Sequence, residues 1–164
     1  MPRIPPPPAR TVFSDPVHFL AFGFGSGLSP WAPGTAGTVA AIPLFLLLQP
    51  LPLWAYLLAT LLVTLAGFWL CGQSARKLGV HDHPGIVWDE FAGFLVTMIA
   101  APAGWVWILI GFALFRLFDI VKPWPARWFD RQMHTGAGIV MDDIVAGVYA
   151  LIVLQLIAWW WGGN

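Results

Sequence analysis

Apolar residues come in long runs along the 164-residue chain, and polar residues collect in islands between them. No charged residue lies between Asp15 and Arg76. Inside that stretch residues 38–48 are apolar, Pro50 and Pro52 interrupt them, and residues 53–71 form a longer run. A polar island covers residues 76–90. Residues 91–100 are apolar again, residues 101–104 break the run, and residues 105–118 continue it with Arg116 as the one interruption. The largest island spans residues 116–143, and residues 144–161 complete the pattern. The runs are rich in Leu, Ala, Phe and Trp without strand-like alternation, which predicts helices. Hydrocarbon also forbids open sheet edges. Residues 53–71 approach the ~20 residues that span a bilayer, while several other runs are short by that measure.

The two breaks inside apolar territory, at residues 49–52 and 101–104, carry no charge. Two helical hairpins with apolar tips would therefore deliver all three polar islands to one face. Arg3, Arg10, Arg76, Lys77, Arg116, Lys122, Arg127 and Arg131 all belong to that face, which the positive-inside rule makes cytoplasmic. The expected architecture is all-α, a membrane-associated multi-helix bundle, against the alternative of a soluble and very apolar bundle. Residues 1–17 read as a disordered Pro-rich tail and residues 18–164 as a single helical domain. The amino terminus has no apolar core or cleavage site of a secretory signal.

Composition narrows the class. Charged residues make up 10% of the chain, against about 25% in ordinary soluble domains. Lys plus Arg and Asp plus Glu number 8 each, so no basic surface exists for a nucleic acid. The single cysteine, Cys71, forms no internal disulfide and reads as a buried thiol. The 11 tryptophans suit interfacial anchoring, with Trp105, Trp107 and Trp159 to Trp161 as candidates.

The acids are grouped. Asp89 and Glu90 open one expected helix, Asp142 and Asp143 open another, and Asp119 lies between in sequence. A carboxylate at a helix start is favoured by the dipole alone, so either pair by itself reads as a cap. Two pairs plus Asp119, in a chain with 8 acids, point beyond capping. Ionisable groups at a membrane boundary are costly and tend to be functional. Clustered carboxylates suit magnesium, and nearby Lys and Arg suit phosphate oxygens. Residues 24–38 form a Gly-rich loop with hydroxyls at Ser26, Ser29, Thr35 and Thr38. Glycines and helix-start amides can approach a phosphate closely, although the loop has neither P-loop nor Rossmann spacing. His81-Asp82-His83 offers too few ligands for zinc and reads as a polar loop. His18 and His134 read as structural or interfacial.

Four stretches, FGSGLSPWAPGTAGT (24–38), HDHPGIVWDEFAG (81–93), FRLFDIVKPWPARWFDR (115–131) and GAGIVMDDIVAG (136–147), resemble the bacterial phosphatidylglycerophosphatase A family in order and content. The resemblance implies hydrolysis of phosphatidylglycerophosphate to phosphatidylglycerol and phosphate, with Mg2+, at the inner membrane. It implies a phospholipid substrate and a bundle in which one helix is surrounded by others. His83 departs from an acid found in many relatives. With the chemistry above, it assigns metal-holding and catalytic roles to Asp89, Glu90, Asp119, Asp142 and Asp143, one of them orienting the attacking water. Phosphate binding falls to Ser29, Thr35, Lys122, Arg127 and Arg131. Direct attack by water and passage through a phospho-aspartate both remain open. The competing readings are a CDP-alcohol phosphotransferase, whose Asp-Gly-x2-Ala-Arg element is absent, and a small cation channel or transporter, which would carry its acids inside the spans.

Overall fold

The computed structural model describes residues 6–80, 83–126 and 135–162. They form seven α-helices and one 3-10 segment: α1 (Ala9–Ser14), α2 (Pro16–Ala21), the 3-10 segment Gly23–Leu28, α3 (Pro33–Leu48), α4 (Leu53–Leu78), α5 (Trp88–Thr97), α6 (Trp105–Val121) and α7 (Gly136–Gly162). No strand occurs among the described residues. The chain is all-α.

One short helix is the hub. Every residue of α5 except Asp89 is buried, and α3, α4, α6 and α7 pack around it. Its outer half joins Phe91, Phe94 and Leu95 to Phe45, Phe115 and Leu154. Its other end joins Trp88 and Ala92 to Leu70, Cys71 and Val140. The crossing of α5 with α7 is close because both backbones are bare there. A Cβ on Gly147 would meet the Gly93 carbonyl oxygen at 2.5 Å, and one on Gly93 would meet the Asp143 carbonyl oxygen at 2.8 Å.

The chain turns back at both uncharged breaks, although α3 and α4 pack against α5 more than against each other. The two turns meet around Gln49, Leu51, Tyr56, Met98 and Ala101, and the Tyr56 hydroxyl donates to the Leu95 carbonyl at 2.7 Å. The described charged residues fall at the other end: the C-terminal ends of α4 and α6, the N-terminal parts of α5 and α7, and the amino-terminal helices.

Helices α4 and α7 have 26 and 27 residues and are apolar enough to cross a membrane. At 1.5 Å per residue each is roughly 40 Å long, more than the ~30 Å of hydrocarbon. Leu57, Leu58, Leu61, Leu62 and Leu65 of α4 face outward. With 10 residues, α5 is only about 15 Å long and is wrapped by its neighbours.

Two expectations need correction. Residues 9–17 do not belong to a tail, because α1 and the start of α2 lie there. Val12 is fully buried among Ala21, Phe22, Leu70 and Ala75. Asp15 accepts the Val17 amide at 2.8 Å, capping α2, and pairs with Lys77 at 2.5 Å. His18 and Ser74 are hydrogen-bonded at 2.8 Å. An apolar stripe outweighs the flanking prolines. The second correction concerns Asp142 and Asp143, which do not open a helix. Helix α7 begins at Gly136, placing them in its second turn. The glycine-rich start looks like a loop, but a bare backbone is what its packing needs: a Cβ on Gly136 would meet the Gly72 amide nitrogen at 2.6 Å. Tertiary packing overrides the low helix propensity of glycine.

Candidate active site

All five acids singled out in the sequence line one cavity of about 300 Å³ at the charged end of the bundle. Asp89 and Glu90 come from the first turn of α5, Asp119 from the last turn of α6, and Asp142 and Asp143 from α7. Arg116, Lys122 and His83 add to the polar lining, beside Ala32 and the first residues of α3, Pro33 and Gly34. Each acid reaches the cavity because its helix starts or ends there or, for α7, because the α5 crossing brings it alongside.

Arg116 was not foreseen as a site residue, and it stands at the centre. Its Nη1 lies 2.5 Å from Glu90 Oε2 and 2.8 Å from Asp119 Oδ2. The available signal was a lone cation inside an apolar run, three residues before an aspartate, which places the two on one helix face. Thr38, one of the hydroxyls expected to add donors for a phosphate, instead supports Glu90: its hydroxyl lies 3.2 Å from Glu90 Oε2 and 3.0 Å from the Gly34 carbonyl. A Cβ on Gly34 would run into Glu90 Oε1 and stand 3.1 Å from the Arg116 guanidinium, so a larger residue there would displace this pair.

Lys122 Nζ lies 2.5 Å from Asp142 Oδ2. Asp89 Oδ1 accepts the Glu90 amide at 3.1 Å. Asp143 is 4% exposed, and its Oδ2 has no hydrogen-bond partner among the described residues. Ala32 (φ 44°) and Lys122 (φ 46°) line the cavity in left-handed conformations. Such strain costs on the order of 1 kcal/mol per residue and gathers at functional sites.

Electrostatics follow from burial. Glu90 is 8% exposed, and burial pushes its carboxyl up to about 7. The Arg116 charge opposes this, the Asp119 charge adds to it, and hydrogen bonds from Arg116 and Thr38 pull it back. Desolvation wins because the buried carboxylate loses most of its hydration.

The phosphate-binding expectations divide. Lys122 lines the cavity. Ser29 lines a neighbouring cavity, where its hydroxyl donates to the Trp31 carbonyl at 2.8 Å. Thr35 lines neither cavity. Its amide and that of Gly34 nevertheless belong to the first turn of α3, where Pro33 at the first position spares a donor. Arg127 and Arg131 lie outside the described residues, as do His81, Asp82 and His134. His83 is buried on the cavity wall, its Nδ1 accepting the Gly85 amide at 2.9 Å. Among the described residues, no three His, Cys, Asp or Glu side chains converge into a ready-made metal cage.

Comparison with known proteins bears on this arrangement. The family model for phosphatidylglycerophosphatase A matches residues 19–158. A phosphatidylglycerophosphatase A of Escherichia coli K12 is 51% identical over 93% of this chain and 90% of its own. One from Haemophilus influenzae is 48% identical over 89% of this chain and 91% of its own. A Bacteroides thetaiotaomicron protein, named as a candidate phosphatidylinositol-3-phosphatase, is 41% identical over 85% and 92%. No solved structure matches the chain significantly.

Proposed function

The chain belongs to the phosphatidylglycerophosphatase A family, and on that premise we propose that its acidic cavity is the place where a lipid phosphate is hydrolysed. The protein is a phosphatidylglycerophosphatase, releasing phosphate and phosphatidylglycerol from phosphatidylglycerophosphate. The observation that carries the site assignment is the gathering of five carboxylates with Arg116 and Lys122 around one cavity of an otherwise apolar bundle.

Magnesium fits this donor set. Among the described residues, five carboxylates face two cations, so a phosphate dianion is repelled unless protons or a divalent cation offset the excess. Asp143 Oδ2, buried without a hydrogen-bond partner there, is a hard oxygen suited to a cation. Magnesium commonly takes one or two carboxylates and fills its shell with water and phosphate oxygens, so it needs no closed protein cage. Asp143 would hold it, with Asp89, Asp142, Glu90 and Asp119 within electrostatic reach. When bound it would neutralise phosphate charge and polarise the phosphorus–oxygen bonds.

The chain's own groups do the rest. The Arg116 guanidinium, held by Glu90 and Asp119, presents a fixed positive charge to the phosphate oxygens. Lys122 supplies a second, and the Gly34 and Thr35 amides at the start of α3 favour an anion. A carboxylate from the set orients the attacking water. The bundle would sit in the inner membrane through α4 and α7, with the cavity facing the cytoplasm as the basic residues direct.

Phosphate release from phosphatidylglycerophosphate by the purified protein tests this reading. Turnover is expected with magnesium and is expected to be lost on exhaustive chelation and regained on adding magnesium back. Full turnover after chelation would remove the metal from the account.

A further inference from the structure

A second cavity, of about 540 Å³, opens beside the acidic one. The two share Ala32, Pro33, His83 and Pro84 as a common wall. Past that wall the chemistry changes. Pro6, Gly27, Pro30, Trp31 and Gly85 carry no charge, and Trp31 stands 80% exposed.

Resting on the function proposed above, we propose that this second cavity receives the glycerol backbone and the ester-linked ends of the acyl chains of the lipid substrate, while the phosphomonoester occupies the acidic cavity. A phospholipid has a charged end and an apolar end. An enzyme that acts on the charged end needs two sites of opposite character in direct continuity, and these cavities share a wall. The volume falls within the range of pockets that take small organic ligands and exceeds what a phosphate ion needs. An indole left exposed at the mouth of an apolar cavity suits the boundary between membrane and water. The partition itself is fixed: His83 is buried, its Nδ1 held by the Gly85 amide and its ring 5.6 Å from that of Phe22.

The test uses the purified full chain in detergent and two substrates with the same phosphoglycerol-phosphate headgroup. One carries two hexanoyl esters and is monomeric; the other is deacylated. Pro30→Phe fills the cavity and keeps the indole, whereas Trp31→Ala removes the rim. Both residues are exposed, and a melting curve checks each fold. Each variant is expected to lower the ratio of kcat/KM for the dihexanoyl over the deacylated substrate about tenfold, through KM. Trp31→Phe is expected to restore most of the ratio. An unchanged ratio in Pro30→Phe overturns the proposal, as does an equal loss on both substrates. A loss confined to Trp31→Ala overturns it in favour of simple surface anchoring. If the wild type hydrolyses neither substrate, the proposed function itself fails and this subsite falls with it.

Discussion

Glu90 shows how much the site depends on its surroundings at the scale of a single residue. It is a carboxyl beside a guanidinium, yet burial holds its proton to about 7. The sign follows directly. The folded protein keeps this proton above the ordinary carboxylate range, where the unfolded chain has lost it. The contribution to stability is therefore full below about pH 4.5 and is lost as pH rises through about 7. With metal chelated, the melting temperature is expected to fall between pH 5 and pH 8, and Glu90→Gln should flatten that slope. Magnesium needs ionised ligands, so its affinity is expected to rise over the same window. Titrating the melting temperature against magnesium at several pH values checks both. The five acids could be picked from sequence because they are few and grouped. Arg116 could not, since a cation within an apolar run reads as an interruption until its partners are located in space.

At the scale of elements, the crossing of α5 and α7 controls the site. The Gly93 and Gly147 backbones touch, and the same contact aligns Asp142 and Asp143 with Asp89 and Glu90. Gly147→Ala is expected to destabilise the protein by about 1–3 kcal/mol, the usual cost of overpacking. It is expected to lower turnover further, by separating the two acid pairs. A melting curve in detergent alongside an activity assay checks this; unchanged values in both would mean that the crossing is loose. Helix content and the positions of the two turns were legible because apolar runs and uncharged breaks alternate clearly. Helix starts were less legible. Residues 136–138 carry two glycines and look like a loop, and only contact with α4 at Gly72 makes them helical. Prolines hid α1 and α2 in the same way, because burial of Val12 and the Asp15–Lys77 pair are long-range facts.

At the scale of the molecule, the described charged groups gather at one end and the two uncharged turns at the other, with two helices long enough to cross hydrocarbon between them. Trp54 and Trp105 are exposed near the turns. In a background with Cys71 replaced by serine, a cysteine at Arg76 is expected to be labelled from the cytoplasm and one at Trp105 to resist labelling from that side. Labelling of both from the same side would refute the orientation. The central claim is that the acids of the cavity work as a metal-dependent phosphatase site and are not helix caps. Asp142 and Asp143 decide it, because α7 starts at Gly136 and neither residue is in a position to cap it. The most direct measurement is turnover of phosphatidylglycerophosphate by Asp143→Asn at saturating magnesium, with the melting temperature recorded beside it. A loss of about a hundredfold or more, roughly 2.7 kcal/mol in the barrier, is expected in a protein that still folds. Near-normal turnover in Asp143→Asn would contradict it.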